Sequence, residues 1–147
     1  MRLKDKSVIV TGGGSGFGEG IVKRFSDEGA RIVVADINEE NGKRVVAGVN
    51  NSIFCKADVS HEPDVKRMID LAVDTFGKLD ILVNNAGIAQ KNCSMTEVTE
   101  DLFDRIFVVN VKSIFLSALH AVPIMKEQGA GCIINTASTA AVSPRPG

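Results

Sequence analysis

The chain has 147 residues, enough for one domain with a real core, and its 44% hydrophobic and 24% charged residues are ordinary for a soluble protein. Seventeen Lys and Arg against eighteen Asp and Glu give a formal net charge of −1, which argues against the basic excess of a dedicated nucleic-acid binder. The uninterrupted apolar runs are short beside the ~18 residues of a membrane span, and the charged start, Met1 to Lys6, is not a secretory signal.

Ser7-Val8-Ile9-Val10, ending at Thr11-Gly12, predicts a strand buried on both faces. Gly16 to Gly29 predicts a helix with Phe17, Ile21, Val22 and Phe25 on one face and Gly29 as its stop. Arg31 to Asp36 is a second buried strand, and Asn38 caps a helix running to about Gly48. Ser52 to Ala57 is a short third strand. The next helix is capped by Ser60, starts with Glu62 and Pro63 and stops at Gly77. Its apolar residues Val65, Met68, Ile69, Ala72, Val73 and Phe76 recur at helical spacing. Asp80 to Val83 is a fourth strand, followed by Asn84-Asn85-Ala86-Gly87. A long helix runs from about Glu100 to Glu127, and Gly131 to Asn135 is a fifth strand. After Ser138, the run Ser143 to Gly147 has the chemistry of a loop. Strands alternating with helices five times indicate βαβ units and a parallel sheet with right-handed crossovers.

Thr11-Gly12-Gly13-Gly14-Ser15-Gly16-Phe17-Gly18 joins the first strand to the first helix. Gly12 permits a tight turn, Gly16 lets backbone approach a pyrophosphate, and Gly18 lets the helix pack on the sheet. The helix start offers unpaired N–H groups to phosphates. Thr11, Gly12, Ser15, Gly16, Phe17 and Gly18 are therefore candidate cofactor-binding residues. Asp36 ends the second strand about 20 residues on, where dinucleotide folds place a carboxylate on the adenosine ribose. Ile37 follows it and Ser15 lies in the turn, so neither place offers a cation to a 2′-phosphate, which favours NAD over NADP. The expected fold is a Rossmann-type doubly wound parallel α/β sheet in three layers, represented by its first five strands. Residues 1–147 would form one NAD(P)-binding domain, incomplete on its C-terminal side.

Other residues invite chemical readings of their own. Asn110 follows Phe103 by seven and Ile106 by four, which places an amide on an apolar helix face where it needs hydrogen-bond partners. Ser138 lies just past the carboxyl end of a parallel strand, where open α/β sheets bind ligands. His61 and His120 have no companions, so no metal site is expected. Cys55, Cys93 and Cys132 read as buried small apolar residues, and an odd cysteine count without a signal fits a reducing cytoplasm. Ser113, Ser117 and Ala121 recur four apart, a spacing of close helix packing.

Thr11 to Gly18, Asp58-Val59, Asn84 to Gly87, Asn110 and Ser138 together resemble the short-chain dehydrogenase/reductase family over Lys6 to Gly147. The Asn-Asn-Ala-Gly segment separates it from a methyltransferase, which also uses a glycine-rich loop and a strand-two acid. The resemblance implies that Asp58 meets the adenine amino group with Val59 beside it. Asn84, Asn85, Ala86 and Gly87 would run along the cofactor and brace the sheet. Ser138 would donate to the substrate oxygen, and Asn110 would hold a water in a proton relay. The implied activity is hydride transfer between a nicotinamide cofactor and a ketone or secondary alcohol, with 3-oxoacyl-thioester reductases and sugar or polyol dehydrogenases as leading classes. The long helix would join subunits into a homodimer or homotetramer, with no nucleic-acid or membrane partner. The family's acid–base pair is a Tyr-x-x-x-Lys beyond the serine, and this sequence contains no tyrosine. The chain is thus expected to be an N-terminal portion, inactive alone; the alternative is a non-catalytic dinucleotide-binding module.

Overall fold

A computed structural model describes residues 1–143. In chain order the elements are β1 (Ser7–Thr11), α1 (Gly16–Asp27), β2 (Arg31–Asp36), α2 (Glu39–Ala47), β3 (Ser52–Lys56), α3 (Glu62–Phe76), β4 (Ile81–Asn84), α4 (Glu100–Phe107), α5 (Ser113–Glu127) and β5 (Cys132–Asn135). A π turn, Val108–Lys112, joins α4 to α5, and 3-10 turns occupy Met95–Glu97 and Thr139–Ala141. The five strands form one sheet in the order β3-β2-β1-β4-β5, with every pairing parallel. This is the Rossmann-type, doubly wound architecture.

Alternation along the strands separates two cores. Ile9, Val33 and Leu82 face Val65, Met68, Ile69, Leu116 and Ala121 of α3 and α5. Val8, Val10, Ile32 and Val34 face Val22 and Val45 of α1 and α2. Helices thus cover both faces, which is why the central strands read as unbroken apolar runs. β1 separates β2 from β4, so the strand order reverses at the carboxyl ends of β1 and β4. Such a switch point opens a crevice for ligands.

Several local expectations hold. The Asn38 side chain accepts the Asn41 N–H at 2.9 Å, Pro63 lies in the first turn of α3, and Gly77 closes it with φ +78°. Others need correction. Ser60 does not cap α3: His61 takes that position without a side-chain bond, because the Ser60 hydroxyl is spent on Asp58 Oδ1 at 2.6 Å. Phe17 does not join the packed face of α1; it is 87% exposed. Cys55 is buried as expected, but Cys93 is half-buried and Cys132 is exposed, since β5 is the last strand of the sheet. The long helix covers Glu100–Glu127 as expected, but the π turn interrupts its α-helical hydrogen bonding. Asn110 sits half-buried in that turn, and the apolar face below it, Phe103 and Phe107, is exposed. Ser113, Ser117 and Ala121 point inward and are buried, so that stripe packs within the chain and is closed to a partner. The Glu100–Glu127 helix is long and apolar enough to cross a membrane by length and composition, although no uninterrupted apolar run in it approaches that length. Its inward side packs on Leu82 and α3 instead. The expected loop residues Pro144 to Gly147 lie outside the described residues.

Candidate cofactor site

The carboxyl ends of the strands bring the glycine turn, Asp36, the β3–α3 connection and the residues after β4 around one cleft of about 650 Å³. Gly12, Ser15, Gly16, Phe17 and Gly18 line one side. Asp36, Ile37, Asp58 and Val59 line a second, and Asn85, Ala86 and Gly87 a third. Thr11, Asn84, Asn110 and Ser138 are outside the lining. Ala57, Ser60, Ile88 and four residues around α4, Asp104, Arg105, Val108 and Val109, line the cleft without having been expected there from the sequence. Only the fold brings the α4 residues to the cleft that the glycine turn lines, so no local motif could have flagged those four.

Each glycine has its own geometric reason. Gly12 has φ +64°, and an added Cβ would lie 3.0 Å from Ala86 Cα. At Gly18 a Cβ would collide with the Gly12 carbonyl oxygen, so only glycine lets α1 start this close to the turn. Gly16 has φ +54° and faces open space, with nothing within 4 Å of a Cβ position. That bare surface beside a helix start fits a phosphate group.

The polar residues outside the lining hold the walls. Thr11 Oγ1 donates to the Val83 carbonyl at 3.2 Å and accepts the N–H groups of Asn85 and Ala86, both at 3.0 Å. Asn85 Nδ2 returns to the Thr11 carbonyl at 3.0 Å. Asn84 Nδ2 donates to Asn135 Oδ1, and its Oδ1 accepts from Ser117 Oγ, both at 2.9 Å. One buried amide thus ties β4 to β5 and α5. Asn110 binds the backbone of Ile88 at both ends: Oδ1 accepts the N–H and Nδ2 donates to the carbonyl, each at 2.8 Å. Ser138 is exposed and caps the Thr139–Ala141 turn, its Oγ accepting the Ala140 N–H at 3.2 Å.

Two carboxylates shape the wall at the ends of β2 and β3. Asp36 Oδ2 accepts the Gly14 N–H and Oδ1 the Asn38 N–H, both at 2.8 Å, so the group is fixed before any ligand arrives. Asp58 Oδ1 accepts from Ser60 N–H and Oγ, and the Asp58 N–H reaches Asp64 Oδ2 at 3.0 Å. That N–H, with Arg67 beside it, lowers the Asp64 pKa from the ordinary carboxylate value. Beneath this wall, burial pushes the Cys55 thiol up, which keeps it neutral and unreactive. His61 and His120 lie apart, near Asp64 and Glu62 respectively, and among the described residues no group of His, Cys, Asp and Glu could hold a metal ion.

The family model for the short chain dehydrogenase matches residues 6–147. The chain belongs to the short-chain dehydrogenase family. It is 43% identical to a 4-formylbenzenesulfonate dehydrogenase of Comamonas testosteroni, over 100% of this chain and 60% of that protein. It is 41% identical to (+)-borneol dehydrogenase 2 of Salvia officinalis, over 95% of this chain and 51% of that protein. Among solved structures, 3-ketoacyl-(acyl-carrier-protein) reductase from Brucella melitensis complexed with NADH superposes with a TM-score of 0.94 at 42% identity. That match covers 98% of this chain and 62% of the reductase. The chain therefore spans between half and two thirds of the length of these relatives.

Proposed function

We propose that the cleft binds NAD, and that the protein carrying these residues is a dehydrogenase or reductase of ketones and secondary alcohols. The observation that carries the reading is Asp36, a carboxylate held by two backbone N–H groups on the wall of a cleft that Gly16, bare of neighbours, also lines. In this reading Gly12, Ser15, Gly16, Phe17 and Gly18 take the pyrophosphate side. Asp36 accepts from the ribose hydroxyls, with Ile37 beside it, and Asp58 and Val59 take the adenine. Thr11 and Asn84 to Gly87 brace the nicotinamide side.

The nicotinamide group, when bound, supplies the hydride acceptor or donor. Ser138 donates a hydrogen bond to the substrate oxygen. Asn110 keeps a second lone pair and a second N–H for a relay water while it anchors Ile88. Residues 1–147 alone are inactive, since they contain no tyrosine to act as the family's acid–base group. That same absence favours a second reading, a dinucleotide-binding module without turnover. The relatives' names support a carbonyl or alcohol substrate, and the Brucella reductase adds a 3-oxoacyl thioester as one class. Phe103, Phe107, Phe115 and Leu119 support self-association through the outer side of α4 and α5. Three free thiols fit a cytoplasmic protein.

Fluorescence titration with NADH and NADPH tests the cofactor assignment. We expect NADH to bind at least about tenfold tighter, because Asp36 repels a 2′-phosphate. Asp36→Ala weakens both cofactors by loosening the Gly14 N–H, and narrows the gap between them. A wild-type preference for NADPH would sink the assignment.

A further inference from the structure

We infer that Arg44, paired with Glu19, is a positioning residue for the dinucleotide: it fixes the glycine turn from the α2 side. The inference rests on the cofactor reading above and extends it to residues outside the cleft. Gly14 is held from both directions. Its N–H goes to Asp36 Oδ2 at 2.8 Å, and its carbonyl accepts from Arg44 Nη2 at 3.0 Å. The same guanidinium reaches both oxygens of Glu19, at 3.1 and 2.7 Å, and Lys23 reaches Glu19 Oε1 at 2.6 Å. Glu19 stands in the first turn of α1, so the pair connects α2, the turn and the helix start whose N–H groups face the cleft.

The need for such a clamp follows from the sequence of the turn. Gly12-Gly13-Gly14 is the stretch with the most backbone freedom to lose, and freedom lost on binding subtracts from affinity. Gly14 cannot gain stiffness from a side chain, because a Cβ there would lie 2.8 Å from Asp36 Oδ2 and 3.1 Å from Asn41 Cβ. The order must come from outside, and a planar fork that serves a carboxylate and a carbonyl together suits the task. The hydrogen bonds from Arg44 and then Lys23 lower the Glu19 pKa to about 2, so the pair stays charged through the neutral range.

NADH and adenosine are titrated against the wild-type protein, Arg44→Met, Arg44→Lys and Glu19→Gln, with a thermal melt of each. Arg44→Met should raise the NADH Kd about tenfold, the scale of one charge-assisted hydrogen bond. Adenosine, which lacks the phosphates facing the turn, should change by less than about twofold. Arg44→Lys should recover part of the loss, since an ammonium serves one acceptor less rigidly than the fork serves two. Glu19→Gln should fall between wild type and Arg44→Met. The inference is overturned if wild type binds NADH and both Arg44 variants match it within twofold, or if adenosine weakens as much as NADH. A wild-type protein that binds no NADH removes the cofactor reading itself. If Arg44→Met does not fold, the Arg44→Lys and Glu19→Gln titrations decide.

Discussion

Strand β1 is buried at all five positions between β2 and β4, whereas β5, among the described residues, pairs with β4 alone and exposes three of its four residues. The helices repeat the contrast. Val22 of α1 and Val45 of α2 are buried on the sheet, while Phe103 and Phe107 of α4 stack on each other at 4.6 Å and remain half-exposed. The polar groups differ in the same way: Thr11 satisfies three backbone groups around β4, and Ser138, among the described residues, bonds within its own turn. The inward side of α5 still contributes Leu116 and Ala121 to the core, whereas the outer side of α4, α5 and β5 presents apolar surface.

The contrast breaks first on core deletions. Leu82→Ala, at a fully buried position beside α3 and α5, should cost about 2–5 kcal/mol in urea unfolding. Ile134→Ala, at a position 42% exposed on β5, should cost less than about 1 kcal/mol. Equal costs would mean that β5 is covered in solution. Next in size is Thr11→Val, which keeps the shape but removes the acceptor of the Ala86 N–H and leaves the Asn85 N–H with the Val83 carbonyl at 3.1 Å alone. It should cost about 1–3 kcal/mol and weaken NADH binding, and an unchanged melt would show that those N–H groups find other partners. The smallest effect is on pH. The folded Glu19 pKa is about 2, below the ordinary carboxyl value of 4.5, so its stabilisation is present above pH 4.5 and is lost as pH falls through 2. The difference in melting temperature between wild type and Glu19→Gln should therefore shrink over that window; a constant difference would contradict the pairing with Arg44.

The sheet was legible because its central strands are apolar on both faces and its turns carry glycine. The same reasoning placed the caps at Asn38 and Gly77. It failed at Ser60 because the short-range bond to Asp58 competes with a cap, and sequence spacing cannot rank the two. The π turn was not legible, although Val108-Val109-Asn110-Val111 is a run of weak helix formers, because propensity does not say where a π turn falls. Most glycine-turn residues could be assigned to the cleft wall by local motif. Arg44 could not, because it acts on Gly14 from 30 positions away. Ser113, Ser117 and Ala121 were legible as a packing stripe, but their spacing did not say which way the stripe faces.

The π turn also sets a phase. Phe103, Phe107, Val111, Phe115 and Leu119 step by four and are all exposed. In an unbroken α-helix each such step overshoots a full turn by about 40°, so four steps would carry the last residue about 160° around the axis. A bulge of one residue takes back about 100°, which leaves the whole series within roughly 60°. Val108–Lys112 therefore works as a one-residue escapement in the helix. Deleting a single residue there would not shorten the helix so much as turn its two halves against each other. Phe115 would rotate toward the sheet, and Ser117 would swing away from Asn84.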